Sequence, residues 1–252
     1  MFNTDSYKLA SSLVDLFELP SRKYGMDTMF SDWISIMICC FARQTREDDY
    51  FEIIKRYEKD ELNFFAQALA KLIEGYDNVL KTENWTDILG HCQEILTSGR
   101  HKSQFGEFFT PNHLCDLLAG LQIEDSTKTG LKISDPACGS GRTLLAAAFT
   151  YDSPRENVYF GADIQLRACQ MAAINMLMHN LEGMILQQNS LSLEITRGFY
   201  IHRFPLPWIE CFDSSQANRF HDYFEHRAEQ KKLLVKLKDQ TSQVGVTQGQ
   251  LF

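Results

Sequence analysis

The sequence predicts an α/β fold in which a Rossmann-like sheet follows an all-helical N-terminal region. After residue 105, β-branched runs alternate with helix-forming runs, which is the order of the βαβ units that build a parallel sheet. Before that point, apolar residues recur at i, i+3 and i+4, which is the spacing of amphipathic helices. These two patterns divide the chain into a helical part and a sheet-containing part.

The helical region is predicted to span residues 1–104. The segment "SDWISIMICCFARQ" offers Ser31 as an N-cap, and "DELNFFAQALAKLIEGY" repeats apolar residues up to an expected stop near Gly75. The segment "TDILGHCQEILTSG" has the same spacing, with Thr86 or Asp87 as its N-cap. Three substantial helices are therefore expected in this region.

The sheet is predicted within residues 105–212. Strands are expected at "LKISD", "VYFGADI" and "MILQQNSL", and helices at "HLCDLLAGL", "RTLLAAAFTY" and "QLRACQMAAINMLMHNL". The segment "GFYIHRFPLPWIECF" is expected to supply one more strand. A charged helix is predicted over residues 213–240 and a flexible tail over residues 241–252.

Composition favours a cytoplasmic globular protein. Of the 252 residues, 44% are hydrophobic and 23% are charged, and the one long apolar run is broken at Arg43, so no membrane segment is predicted. The N-terminus lacks a basic-then-apolar signal layout. A net charge of −8 argues against a protein that binds nucleic acid over its whole surface, but it is compatible with a local basic groove. The seven cysteines are odd in number and contain no C-x-x-C pair, which predicts reduced thiols and no metal site.

The segment "DPACGSG" connects the first predicted strand to a helix. Gly139 and Gly141 would let the backbone approach a ligand, and the helix N-terminus would offer unpaired N–H groups. The segment is not a P-loop, because no Gly-Lys-Ser/Thr follows, and it lacks the third glycine of a dinucleotide fingerprint. Asp135 would repel a pyrophosphate but suits a ligand with a charged amine, such as the methionine end of S-adenosylmethionine. A plain tight turn is the alternative interpretation.

The second predicted strand ends at Asp163. A carboxylate in this position can accept hydrogen bonds from both hydroxyls of a ribose. An aspartate at the end of a strand is common, so this observation gains its weight from the glycine turn that precedes it.

Four segments follow one another along the sequence in this order: "GEFFTP", "DPACGSG", "GADI" and "QNSL". Over roughly residues 28–195 the sequence resembles the N6-adenine DNA methyltransferases. Within them it is most similar to the modification subunit of type I restriction systems and its short relatives on phages and mobile elements. The resemblance implies the S-adenosylmethionine-dependent methyltransferase fold, with S-adenosylmethionine as cofactor and DNA as a partner.

The resemblance also implies roles for individual residues. Phe109 and Thr110 match the family segment that closes over the methionine end of the cofactor, and Asp163 and Ile164 match the residues at its ribose and adenine. Asn189 matches the position that reads the adenine amine, with Leu191 packing near the ring. The loop around the methionine end is matched by Asp135, Ala137, Cys138, Gly139 and Gly141.

The family's catalytic motif is absent from the sequence. In the family, Asn or Asp followed by Pro-Pro and an aromatic residue accepts hydrogen bonds from the target adenine and stacks on the flipped base. The nearest candidate is "PLPW", in which Pro205 stands where the amine acceptor should be and Pro207 and Trp208 keep the last two positions. An ordinary turn at the end of a strand is the alternative interpretation.

Two hypotheses therefore remain open from the sequence. The chain is either an adenine methyltransferase that is weakly active or inactive on its own, or a non-catalytic binding or regulatory module of a mobile element. The family sheet has seven strands and a separate DNA-reading region, whereas roughly sixty residues follow Leu191. The sheet is thus predicted to stop early. Its open edge would be covered by the C-terminal helix, by another methyltransferase or specificity subunit, or by a second copy.

The C-terminal residues "QGQLF" suggest one further partner. Gln248, Leu251 and Phe252 fit a Gln-x-x-Leu-Phe pattern that resembles the peptides with which bacterial proteins bind the sliding clamp. Gly249 departs from that pattern. Packing of Leu251 and Phe252 against the protein itself, or against a sister subunit, is the alternative.

Overall fold

The computed structural model describes residues 5–18, 20–98, 110–203 and 206–216. The chain divides into two compact units, residues 1–212 and 213–252, and only residues 213–216 of the second unit are described. No helix among these residues is both long enough and apolar enough to cross a membrane. The seven cysteines are all free thiols.

The N-terminal region is helical, as predicted. Its helices are α1 (Asp5–Phe17), α2 (Ser21–Tyr24), α3 (Met26–Phe41), α4 (Glu47–Ile54), α5 (Lys59–Val79) and α6 (Ile88–Ser98).

Two predicted helix boundaries in this region are wrong. Helix α3 begins after Gly25, whose φ of 85° sets the break from α2, so Ser31 lies inside the helix and accepts a hydrogen bond from Arg167. Helix α5 continues four residues beyond Gly75. A Cβ at Gly75 would lie 2.1 Å from the Leu9 side chain, so this glycine allows α1 to approach α5 and does not end the helix.

The predicted N-cap of α6 is confirmed at Asp87. One oxygen of its carboxylate accepts a hydrogen bond from the backbone N–H of Gly90 at 2.7 Å. Asp87 has no exposed surface, which is unusual for an N-cap carboxylate.

The described residues of the second part of the chain form one sheet and three α-helices. Its elements are α7 (Asn112–Gln122), β1 (Lys132–Asp135), α8 (Arg142–Thr150), a 3₁₀ turn (Pro154–Glu156), β2 (Val158–Asp163), α9 (Leu166–Met178), β3 (Gly183–Asn189), β4 (Glu194–His202) and β5 (Trp208–Asp213). The described strands form one sheet in the order β1-β2-β3-β4-β5.

The first three strands are parallel, and β4 runs antiparallel to β3. The sequence predicted a single strand after residue 198, but the structure has the end of β4 and all of β5, separated by a short connection. Pro207 lies in that connection and cannot donate a ladder hydrogen bond, which suits a break between two strands.

Helix α9 joins the helical region to the sheet. Every residue from Ala168 to Leu177 is buried, which predicts contacts all round the helix. One side packs on β2, β3 and β4, and the other meets α3 and α6. The helical region and the sheet therefore share one hydrophobic core.

Helix α7 is different, because it has one packed face and one open face. Its buried residues, Cys115 and Ala119, lie on the side packed against α8. Four leucines at helical spacing are exposed by 38–73%, namely Leu114, Leu117, Leu118 and Leu121. No described strand pairs with the outer edge of β1, so the sheet begins at an open edge within the part of the chain that the structure describes.

Candidate functional site

The turn after β1 depends on two glycines. Gly139 has a φ of 53° and Gly141 a φ of 91°, which are left-handed values that favour glycine. The N–H of Gly141 donates to the carbonyl of Cys138 at 2.8 Å, and α8 begins at the next residue. The turn therefore reverses the chain tightly and presents the N-terminus of α8 at the carboxyl end of β1.

The carboxyl ends of β1, β2 and β3 lie at one edge of the sheet. Asp163 at the end of β2 accepts a hydrogen bond from the N–H of Gly139 at 3.0 Å, which fixes the turn against the second strand. Ser190, just after β3, donates its hydroxyl to the carbonyl of Pro136. Three consecutive loops are thus tied together where an open α/β sheet normally binds its ligand.

Two half-buried carboxylates face this edge. Asp135 accepts hydrogen bonds from the N–H of Ala137 at 2.9 Å and from the hydroxyl of Thr143. Asp163 accepts two backbone N–H groups, one of them from Gln165 at 2.9 Å. An ionised carboxylate can accept about four hydrogen bonds, so each retains acceptor capacity for a donor ligand.

Apolar side chains stand beside the carboxylates. Ile164 is 64% exposed and Leu191 is 97% exposed. Side chains of this kind next to a polar site can flank a planar ring, since burying either one would be favourable. The oxygen of Asn189 accepts hydrogen bonds from the N–H groups of Leu191 and Ser192 at 3.0 and 3.4 Å. In this structure the side chain of Asn189 therefore caps its own turn.

Cys138 has a packing role in the turn. It is 5% exposed, and its N–H donates to the carbonyl of Ala162 at 2.9 Å. A Cβ at Gly161 would lie 2.7 Å from its sulfur, so the side chain fills the space above that glycine. Burial raises the pKa of this thiol well above its ordinary value. The side chain is therefore turned into the core, and the backbone of this residue borders the site.

Sequence reasoning missed a buried polar cluster behind the turn. The Asp87 carboxylate accepts hydrogen bonds from the Ser140 hydroxyl, from Arg142 Nε at 2.7 Å and from Asn175 Nδ2 at 2.7 Å, in addition to its own helix cap at Gly90. These donors come from the glycine turn, from α8 and from α9. The available signals were Asp87, already an N-cap candidate, and Asn175, a polar residue within the apolar run "MAAINMLM".

Arg142 extends this cluster to the segment before α7. Its Nη1 donates to Glu94 at 2.7 Å and to the carbonyl of Thr110 at 3.2 Å, and the residue is 3% exposed. Desolvation alone would raise the pKa of Glu94, but hydrogen bonds from His91 and Arg142 outweigh it and lower that pKa to about 2. Thr110 is thus held near the turn through its backbone.

The structure does not bring the degenerate catalytic candidates to this edge. Because β4 runs antiparallel to β3, its connection to β5 lies at the amino end of β3. The seven residues of β3 separate the two ends by about 20 Å. Trp208 stacks on His202 with ring centroids 4.1 Å apart, and the Arg43 guanidinium lies 4.9 Å from its ring. Pro207 and Trp208 are therefore remote from Asp135.

Some predicted residues lie outside the described part of the chain. They are Phe109, Pro205, Gln248, Leu251 and Phe252. Among the described residues, no group of three or more His, Cys, Asp or Glu side chains is arranged to hold a metal ion.

Comparisons with known proteins identify a family for the chain. The model of the N-6 DNA Methylase family matches residues 84–231, more than half of the chain. The type I restriction enzyme MpnII methylase subunit of Mycoplasma pneumoniae is 29% identical over 129 residues, which cover 48% of this chain and 24% of that protein. The chain thus matches about a quarter of the length of this curated relative.

Solved structures give a more distant match. The methyltransferase subunit of a type I restriction-modification system from Streptococcus thermophilus is 16% identical, with a TM-score of 0.37, over 71% of this chain and 57% of that chain.

Proposed function

Because the chain belongs to the N-6 DNA methylase family, we propose that the edge formed by β1, β2 and β3 binds S-adenosylmethionine. One observation carries the proposal: Asp135 and Asp163 end adjacent strands, on either side of a turn with two left-handed glycines. The first carboxylate suits the ligand's amine and the second its ribose hydroxyls, and both retain acceptor capacity.

The remaining predicted contacts fit the same ligand. Ile164 and Leu191 are exposed where they could flank an adenine ring, and Thr110 is held beside the turn by Arg142. When bound, S-adenosylmethionine supplies an electrophilic methyl group. The chain's own residues would bind and orient that ligand, and Asn189 would have to release its turn hydrogen bonds before its oxygen could read the adenine amine.

We also propose that the isolated chain transfers little or no methyl group. The sequence has no Asn-Pro-Pro-aromatic or Asp-Pro-Pro-aromatic tetrapeptide. Trp208 begins β5 on the side of the amino end of β3, and the length of β3, about 20 Å, separates that end from the proposed pocket; Trp208 already stacks on His202. An amine acceptor for the target base would therefore come from residues beyond those that the structure describes or from another polypeptide. This supports a chain that acts on DNA together with a second methyltransferase or specificity subunit, or as a regulatory module.

Calorimetric titration with S-adenosylmethionine and its demethylated product tests the cofactor proposal. Replacing Asp163 with alanine should weaken binding by about 1–3 kcal/mol, because hydrogen bonds to a charged acceptor are lost. Gly139→Val should abolish binding, because valine cannot adopt the left-handed turn without strain. Asp152→Ala is the matched control, since Asp152 is exposed and precedes β2 at the other end of the strand. A wild-type protein that shows no binding at millimolar ligand would refute the proposal.

A labelled-methyl assay on unmethylated DNA tests the catalytic proposal. We expect transfer at background level from the purified chain. Robust transfer would show that the acceptor is present within the chain and that the missing motif is replaced by other residues.

A further inference from the structure

We infer that Asp87, contributed by the helical region, is a positioning residue for the cofactor-binding turn and acts through Ser140. This inference rests on the proposed function, because the turn matters only if it holds the ligand. Asp87 is separated from Ser140 by more than fifty residues in sequence, yet the two side chains are in direct contact in the interior.

The first step in the argument is the saturation of the Asp87 carboxylate. One oxygen accepts hydrogen bonds from Gly90 N–H and Asn175 Nδ2, and the other accepts from Ser140 and from Arg142 Nε. Four donors match the acceptor capacity of an ionised carboxylate. Burying such a charge is costly unless every lone pair is used, so the geometry of all four donors is constrained together.

The second step is the position of Ser140. It lies between Gly139 and Gly141, the two residues with left-handed backbone, and is 1% exposed. Its hydroxyl donates to Asp87, and its carbonyl accepts from Asn175 Nδ2 at 2.8 Å. Both polar ends of this residue are therefore held by groups outside the turn.

The third step concerns the cost of binding. Glycines on both sides of Ser140 give the free turn many backbone conformations, and a ligand would have to select one of them. Holding the turn in advance lowers that cost and so lowers the dissociation constant. The helical region thus contributes to ligand affinity without a direct contact to the ligand.

The variant Ser140→Ala tests this step, because it removes one hydroxyl and leaves the Asp87–Arg142 pair in place. We expect the dissociation constant for S-adenosylmethionine to rise about tenfold, which is about 1.4 kcal/mol at 25 °C. Ser35→Ala is the matched control. The Ser35 hydroxyl also joins the helical region to α9, through Gln170, but does not touch the turn. The dissociation constant of Ser35→Ala for S-adenosylmethionine should therefore differ from the wild-type value by less than about twofold.

Two readouts separate positioning from general stability. Urea unfolding curves first establish that each variant is folded at 25 °C, and the dissociation constants are then measured at that temperature. A loss of global stability does not change the affinity of a protein that remains fully folded. Hydrogen exchange at the Gly139 amide is followed without ligand. Its rate should increase in Ser140→Ala, while the exchange rates of the core amides of α9 keep the same order as in the wild-type protein.

Each outcome decides a separate question. If the wild-type protein fails to bind S-adenosylmethionine, the proposed function and this inference fall together. If the wild-type protein binds and Ser140→Ala binds within about twofold of it, only the inference falls. Asp87→Asn serves as the second variant. If Asp87 acts through Ser140, adding Ser140→Ala to Asp87→Asn should weaken binding little further, whereas fully additive losses would overturn the coupling.

Discussion

The glycine turn has two contrasting sides. Behind it, Asp87, Arg142 and Asn175 are almost entirely buried, and the carboxylate of Asp87 has a donor for each lone pair. In front of it, Ile164 and Leu191 are largely exposed.

The contrast indicates which parts of the proposed function reside in this chain. Behind the turn, the Asp87 carboxylate has a donor for each lone pair, so the shape of the turn is set by the chain itself. Within the described residues, the front presents acceptors and apolar surface that no other segment covers. We therefore expect ligand binding to be a property of the chain, and base recognition to need groups from elsewhere.

The largest effect should follow from removing the charge behind the turn. Arg142→Met would leave Asp87 buried and Glu94 half-buried without their cationic partner. Breaking a buried ion pair from one side typically costs about 3–5 kcal/mol. Urea unfolding of the variant and the wild-type protein at pH 7 measures this loss of unfolding free energy.

An exposed ion pair provides the control for this prediction. Arg46 pairs with Asp49 on the surface, and both side chains are at least 40% exposed. Arg46→Met should cost less than about 1 kcal/mol. Equal losses of unfolding free energy in the two variants would mean that the buried ion pairs of Arg142 contribute no more to stability than an exposed ion pair does.

The local features of this site were predictable from the sequence. A left-handed turn favours glycine, and Asp135 and Asp163 end the segments "LKISD" and "VYFGAD", so strand ends, turn and helix start could each be assigned from neighbouring residues. The N-cap of α6 was assigned in the same way to Thr86 or Asp87, and the structure identifies it as Asp87. Such assignments succeed because the physical cause lies within a few residues.

The long-range features were not predictable in that way. No local signal shows that Asp87 meets Arg142 and Ser140, since their contact exists only once α6 packs behind the turn. The direction of β4 was missed for the same reason, because a strand's composition does not encode which way it pairs. At Gly75 the rule that a glycine ends a helix gave the wrong boundary, because this glycine is needed for the close packing of α5 against α1.

The rear of the turn should also respond to pH through His179. This side chain is 2% exposed, accepts a hydrogen bond from Thr86 N–H at 3.1 Å, and donates to the carbonyl of Asn175. Burial lowers its pKa from 6.5 to about 4, although the contact to Asn175 acts in the opposite direction. The folded protein therefore keeps this imidazole neutral where the unfolded chain would protonate it.

The sign follows from proton uptake. Between pH 6.5 and about 4 the unfolded state binds a proton at His179 that the folded state does not, so stability falls as the pH is lowered through this window. The slope should approach about 1.4 kcal/mol per pH unit, for a total of about 3 kcal/mol over the whole window. Glu94, with its pKa lowered to about 2, acts in a different window, below its ordinary value of 4.5.

His179→Gln isolates this contribution, because a glutamine oxygen can still accept from Thr86 but does not titrate. Unfolding free energies at pH 7, 6 and 5 should fall less steeply in the variant than in the wild-type protein. His202 also has a lowered pKa, mainly through burial, so some slope should remain. If the unfolding free energies of the two proteins fell equally steeply with pH, His179 would not be the source of the slope.

The smallest effect compares the same substitution in a packed and in an open helix. Gly75 lies in α5, where a new Cβ would be 2.1 Å from Leu9 of α1, whereas a Cβ at Gly120 in α7 would meet nothing within 4 Å. Alanine favours a helix over glycine by about 1 kcal/mol, so Gly120→Ala should stabilise the protein by about 0.5–1 kcal/mol.

At Gly75 the same gain is opposed by overpacking, which typically costs about 1–3 kcal/mol. The nearest neighbour is the end of the flexible Leu9 side chain, so part of that cost can be relieved by rotation, and we expect a net loss of about 1 kcal/mol. Urea unfolding of the two variants should therefore shift in opposite directions. If both were stabilised, Leu9 would have moved aside freely, and the helices behind the turn would be packed less tightly than the structure indicates.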